Sequence, residues 1–202
     1  MPSVVAICNR ALSRVGDARI TSLEDGTKAA AACNSAYEFI RDEVLRAHPW
    51  NSAMARASLA KLSDAPDFGY DDQYQLPSDC LRVVEVYDSR RPWVIEGRRI
   101  LSDEGAPLEI RYIKQETDPT VYDSLLASTI AARLDLEWAE ELTQSNTKRE
   151  RAMEEYQILL SMARRADGQE MSPMPLEEDD WVLARIAGTG VPRVKADPVE
   201  YE

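Results

Sequence analysis

Glu137 and Glu141 stand four residues apart, one helical turn, a spacing that brings two carboxylates together for general acid–base chemistry. Glu140, Glu154 and Glu155 widen the set. A glycosidase uses such a pair, one carboxyl protonating the leaving oxygen while the other activates water or attacks the sugar. A small cell-wall glycan hydrolase acting through helical carboxylates is thus the enzymatic alternative. Yet such pairs occur on any acidic helix, and Arg133 and Lys148 are the neighbours expected on a solvated, charge-paired face. His48 is the single histidine. A serine or cysteine nucleophile would need it as base, but no G-x-S-x-G turn is present. His48 directly precedes Pro49-Trp50, where a helix has to stop, and helix termination explains it without chemistry. One histidine and three scattered cysteines (Cys8, Cys33, Cys80) make no metal set, and no Walker-type loop cradles phosphate. No catalytic residue, cofactor or metal ligand is assigned, and the chain is read as a non-enzyme.

The residue types that dominate protein interfaces are more informative. Trp50 and Trp138 fall inside apolar patterns and read as core. Trp93 follows Arg90-Arg91-Pro92 beside an expected hairpin, and Trp181 opens the apolar island Trp181-Val182-Leu183-Ala184-Arg185-Ile186. Tryptophan and arginine are enriched where partners bind, so Trp93, Trp181, Leu183, Arg185 and Ile186 are the candidate partner contacts. Of the 24 basic residues 19 are arginine and five lysine, a bias toward the side chain that makes bidentate interface contacts.

The elements that must hold these residues follow from periodicity and punctuation. A first helix spans Ser3 to Val15, with Ser3 as N-cap, Val4, Ile7, Ala11, Leu12 and Val15 as its stripe, and Gly16 as its stop. The loop Ser22-Leu23-Glu24-Asp25-Gly26 leads into a second helix carrying Ala29, Ala32, Ala36, Tyr37, Ile40, Val44 and Ala47 on one face. Proline closes it near Ala47. Ala53, Ala55, Ala57 and Leu59 then alternate as in a strand. Residues 81–87, a 93–95/99–101 hairpin and 108–113 read as further strands. Asp118-Pro119 marks the start of a third helix with Tyr122, Leu126, Ile130, Leu134, Trp138 and Leu142 as its ridge. Thr147-Lys148-Arg149-Glu150 reads as a capping box opening a fourth, carrying Ala152, Tyr156, Leu159, Leu160 and Ala163 and ending at Gly168.

The expected architecture is α+β, mainly α: a four-helix bundle from residues 1–50 and 117–168, with a small β-rich insert over 51–116. Residues 169–202 form an extended C-terminal arm, rich in proline, glycine and acid, expected to be disordered in the free monomer. At 202 residues the chain can bury one core with a small second lobe. The net charge of −12 opposes any grip on DNA, which requires basic side chains to displace counterions. No apolar run approaches the roughly 20 residues of a membrane span, and no basic-then-apolar leader opens the chain. The expectation is a protein made and used without secretion, with buried free thiols.

The segment from Ile20 to Ala57, with its R-D-E-x-L-x-x-H-P-W block at 41–50, resembles the head-to-tail adaptor family of tailed bacteriophages. Tyr74-Gln75-Leu76-Pro77-Ser78-Asp79-Cys80-Leu81-Arg82-Val83 resembles that family's next strand, and the likeness covers roughly residues 4–166. The resemblance implies a structural virion protein, a ring of twelve copies that joins the portal to the tail nozzle or tail tube protein. DNA would pass through its channel during genome ejection without sequence-specific binding. It implies a helical ring wall, a β insert facing the tail and an arm tethered to the portal. Its place would be the head–tail interface of the virion, after assembly in the host cytoplasm. A cytoplasmic helical regulator is a third reading of the same composition.

Overall fold

The computed structural model describes residues 2–89, 91–143 and 146–170. Helix α1 (Val4–Val15) starts where Ser3 Oγ accepts from Ala6 N at 3.1 Å. It stops at Gly16, whose left-handed φ of 91° suits a residue without Cβ. Helix α2 (Lys28–Arg46) is capped by Thr27, whose hydroxyl accepts from Ala30 N, and ends at Ala47. The connection is held by Asn9: its amide accepts from Ile20 N and donates to Ile20 O, both at 2.8 Å. A 3-10 turn (Asn51–Ala53) then leads to strand β1 (Met54–Leu59).

Five more strands follow: β2 (Asp72–Gln75), β3 (Cys80–Val86), β4 (Trp93–Glu96), β5 (Arg99–Ser102) and β6 (Leu108–Lys114). They make two three-stranded antiparallel sheets, ordered β1-β6-β3 and β2-β5-β4. The block 74–83, expected as one strand, is divided between the two sheets. Pro77 supplies no amide donor, Cys80 N turns back to Pro77 O at 3.1 Å, and the chain changes sheet there. Within β3 the register against β6 slips twice, so Cys80, Val83 and Val86 are buried at intervals of three instead of two. Those three, with Leu59, Tyr74, Ile100, Leu108, Ile110 and Tyr112, form a core belonging to the strands alone. Ile113, with Leu81, Val84 and Met54 beside it, joins the helical core instead.

Helix α3 (Ser124–Thr143) and helix α4 (Asn146–Gln169) complete the described chain. Asp118-Pro119 opens only a 3-10 turn (Pro119–Val121), because Tyr122 has extended backbone and its hydroxyl turns back to Glu116 O at 2.6 Å. Asp123 caps α3, accepting from Leu125 N at 2.8 Å. Thr147 lies inside α4 and does not cap it, and the helix runs one residue past Gly168. The side chains of Glu140, Glu141 and Leu142 lie outside the described residues.

The four-helix bundle is corrected: the fold is α+β, four helices with two three-stranded antiparallel sheets. The physical reason is the inequality of the helices. Helix α3 is buried nearly all round, with Leu126, Ile130, Leu134 and Trp138 on one side and Ala132 and Ala139 elsewhere. Helices α1, α2 and α4 each pack against it. Helix α4 gives the helical core only Ala163 fully, with Tyr156 and Leu160 in part. Such a narrow stripe suits a helix laid on a hub, not one wall of a bundle. The arm expected over 169–202 lies, beyond Glu170, outside the described residues.

Candidate interaction surfaces

Of the residues singled out for chemistry, Glu137 and Glu154 line one groove between α3 and α4, while Glu155 and His48 lie outside its lining. Glu137 accepts from Arg133 Nη1 at 2.9 Å on an exposed helix face, and Glu155 pairs with Arg14 at 3.0 Å. Each carboxylate has its own guanidinium, as on a charge-paired surface. The Cys8 thiol is raised by its hydrogen bond with Cys33 and by burial, and all three cysteines are free and buried. The hydrogen bond with Cys8 lowers the Cys33 thiol against the effect of burial, burial raises Cys80, and none of the three stands at an exposed site.

His48 has a structural partner. Its Nε2 faces Asp167 Oδ2 at 3.2 Å, and its ring meets Trp50 edge-on with centroids 4.6 Å apart. Asp167 also accepts from Asn51 N at 2.8 Å, while Asn51 Nδ2 donates to the Asp167 carbonyl at 2.8 Å. Arg164 Nη2 donates to Ala47 O at 3.3 Å. The corner after α2 and the last turn of α4 are thereby stitched together. Burial lowers the His48 pKa below its usual value, Arg164 and Arg82 act in the same direction, and Asp167 opposes them. Trp50 is 2% exposed, and its indole N–H donates to Val44 O at 2.9 Å.

Of the expected contact residues, Trp93 lies on β4, an edge strand, half-buried against the core of the strands. Trp181, Leu183, Arg185 and Ile186 lie outside the described residues. Three arginines stand around the β4–β5 hairpin that carries Trp93. Arg91 donates to Asp103 O, Arg98 to the carbonyls of Pro77 and Ser78, and Arg99 to Gln73 Oε1. These three guanidiniums are oriented by neutral acceptors. Arg98 and Arg99 line a groove of about 660 Å³ together with Phe68, which is 87% exposed on the 64–70 loop. Gln73 joins the two walls, donating to Asp64 O at 2.6 Å while accepting from Arg99 at 3.0 Å.

A second surface spans the helices. Arg133 holds Glu43 on α2 with two nitrogens, at 3.0 and 3.1 Å, and Glu137 on its own helix. This cluster is the wall between two grooves, about 760 Å³ between α3 and α4 and about 700 Å³ between α2 and α3. Met153 overhangs the first and Phe39 the second, 45% and 73% exposed. Farther round α4, Ile158 and Met162 are exposed one turn apart. Sequence reasoning missed Phe39, Phe68, Ile158 and Met162. A helical wheel would have found Phe39, which falls off the stripe of Tyr37, Ile40 and Val44. Phe68, a lone aromatic among Asp, Pro and Gly, carried the corresponding signal in a loop.

Comparison with protein-family models and with curated proteins finds no match.

Proposed function

We propose that the protein is a structural subunit of the ring that joins the portal of a tailed bacteriophage to its tail and continues the DNA channel. The reading rests on the resemblance of residues 20–57 and 74–83 to the head-to-tail adaptor family. The observation that supports it best is the corner at His48-Pro49-Trp50. Trp50 is buried under α2 and bonded to Val44 O, and His48 is tied to Asp167. The resembling block therefore holds the joint between the helical layer and the strands, a fold-determining part of the chain and not a surface coincidence.

In this reading the helical layer forms the ring wall, and the strands offer a platform to the tail nozzle or tail tube protein. The segment beyond Glu170 tethers the portal. Twelve copies follow the portal's symmetry. A net charge of −12 repels phosphate along the channel and keeps the duplex moving. The subunit works without catalysis, at the head–tail interface of the virion, after assembly in the host cytoplasm. The test is native mass measurement after mixing the protein with a portal ring from the same phage. A complex carrying twelve copies per portal is the expected result, and no complex at any ratio overturns the reading.

A further inference from the structure

Two exposed apolar features lie on opposite shoulders of α4, and they differ in shape and in charge. One is a ridge. Ile158 and Met162, 52% and 49% exposed, point outward with Arg151 and Arg165 on the same helical side, at steps of seven and three residues. Next to it, Arg14 of α1 pairs with Glu155, and Lys148 of α4 itself reaches the Val15 carbonyl, with the buried Asp135 close to both. Arg14, Lys148, Arg151 and Arg165 thus stand against Glu154 and Glu155 at the surface and Asp135 beneath it, a balance that stays basic.

The other feature is the groove between α3 and α4, about 760 Å³, overhung by Met153 and floored by Leu136 and Tyr156. Its charged lining has the opposite balance. Glu43, Glu137, Glu150 and Glu154 stand against Arg133 and Arg149. A convex, basic, apolar ridge and a concave, acidic, apolar groove on one molecule are complementary to each other, and neither is complementary to itself. A two-fold contact would set ridge on ridge, with like charges opposed. A head-to-tail contact pairs each with its complement, and repetition of such a heterologous contact generates a ring when the rotation closes.

We infer that successive copies of this chain pack head to tail, the Ile158–Met162 ridge of one seating in the α3–α4 groove of the next. Arg151 and Arg165 then face the groove's glutamates, and Met153 closes over the inserted side chains. Arg133, its side chain 16% exposed and already locked on Glu43 and Glu137, sits at the centre as a pre-organised anchor. The inference deepens the ring reading and rests on it for the requirement that copies associate.

Charge-swapped full-length chains test it. One carries Arg151→Glu with Arg165→Glu, the other Glu137→Arg with Glu150→Arg. Both are checked for wild-type thermal unfolding and then followed by sedimentation velocity and native mass spectrometry, free at millimolar concentration and with portal. Each variant alone should lose at least most of the wild-type self-association, because its ridge and groove now carry the same sign. An equal mixture should recover it, in assemblies that alternate the two. Variants that associate alone like wild type, a mixture that recovers nothing, or wild type that stays monomeric in both settings overturn the inference. Head-to-tail assemblies that ignore portal would leave it standing and remove the adaptor reading. Portal-bound rings indifferent to both swaps would remove the inference alone.

Discussion

His48 and Asp167 meet at 3.2 Å across 119 positions of sequence, and through them the end of α4 is fastened to the corner where α2 gives way to the strands. The carboxylate is shared with Asn51 N, so the pair sits inside a small network and not in isolation. This network ends the described helical layer at the point where the remaining 171–202 chain begins.

The first prediction concerns the imidazole. Because burial outweighs the attraction of Asp167, His48 should titrate below the ordinary value of about 6.5. With a lowered folded pKa, both states are neutral above the unfolded value and no linkage exists there. As pH falls through about 6.5 the unfolded chain takes up the proton first, and stability declines until the folded pKa is passed. The chain has one histidine, so its C–H proton resonances report the midpoint without assignment. A midpoint at or above the free value contradicts the burial argument. Asp167→Asn should move it lower still.

Two tyrosines should respond oppositely to the same substitution. Tyr37 is 3% exposed, its hydroxyl finds no acceptor among the described residues, and burial pushes its pKa up to about 12. Tyr37→Phe should be neutral or stabilising, since it removes an unpaired buried polar group. Tyr122 donates to Glu116 O at 2.6 Å, and Tyr122→Phe should cost about 1 kcal/mol. Urea midpoints of the two variants, measured side by side, decide the matter.

Asn9→Ala should destabilise by about 1–3 kcal/mol, because it strands both the N–H and the C=O of Ile20 at a part-buried site. Denaturant unfolding at constant m-value is the measurement. A loss within about 0.5 kcal/mol, typical of plain surface changes, would show that the α1–α2 connection is held by something else.

A chain ending at Glu170 should unfold at the same temperature as the full chain, since residues 1–170 form their own compact unit. A cut before Asp167 should not be silent, because it removes the partner of His48 and Asn51. Under the proposed function the 1–170 chain should bind portal more weakly, and full-length Trp181→Ala should be the most damaging single change beyond Glu170. Full portal affinity of the truncated chain would sink the tether.

Much of the chain's order was legible. Ser3 and Gly16 mark helix ends by local chemistry that needs no partner, and the alternation of Ala55, Ala57 and Leu59 reports a sheet face directly. The failures have a common cause, which is that tertiary context decided. Strand β2 is Asp72-Gln73-Tyr74-Gln75, polar in sequence, yet Asp72 and Gln73 are buried because Lys61 pairs with one and the groove walls bond the other. The bundle expectation fails because the thin stripe of α4 and the all-round burial of α3 are unequal in a way that a list of apolar positions conceals. The candidate surfaces were the least legible, since Ile158 and Phe39 gain meaning only from what lies beside them in space.

Met54 at the start of β1 stands opposite Ile113 near the end of β6, in register and antiparallel. The chain therefore leaves the helical layer and re-enters it through a single pair of neighbouring residues. Between those two gateposts it crosses from sheet to sheet four times. Among the described residues, the strand side chains that join the helical core are those of the gateposts and of Leu81 and Val84 on β3. Loops such as 64–70 can lengthen, shorten or change sequence without disturbing the helical layer. A lineage can thus refit the outer end of this molecule to a new neighbour while keeping the same chassis.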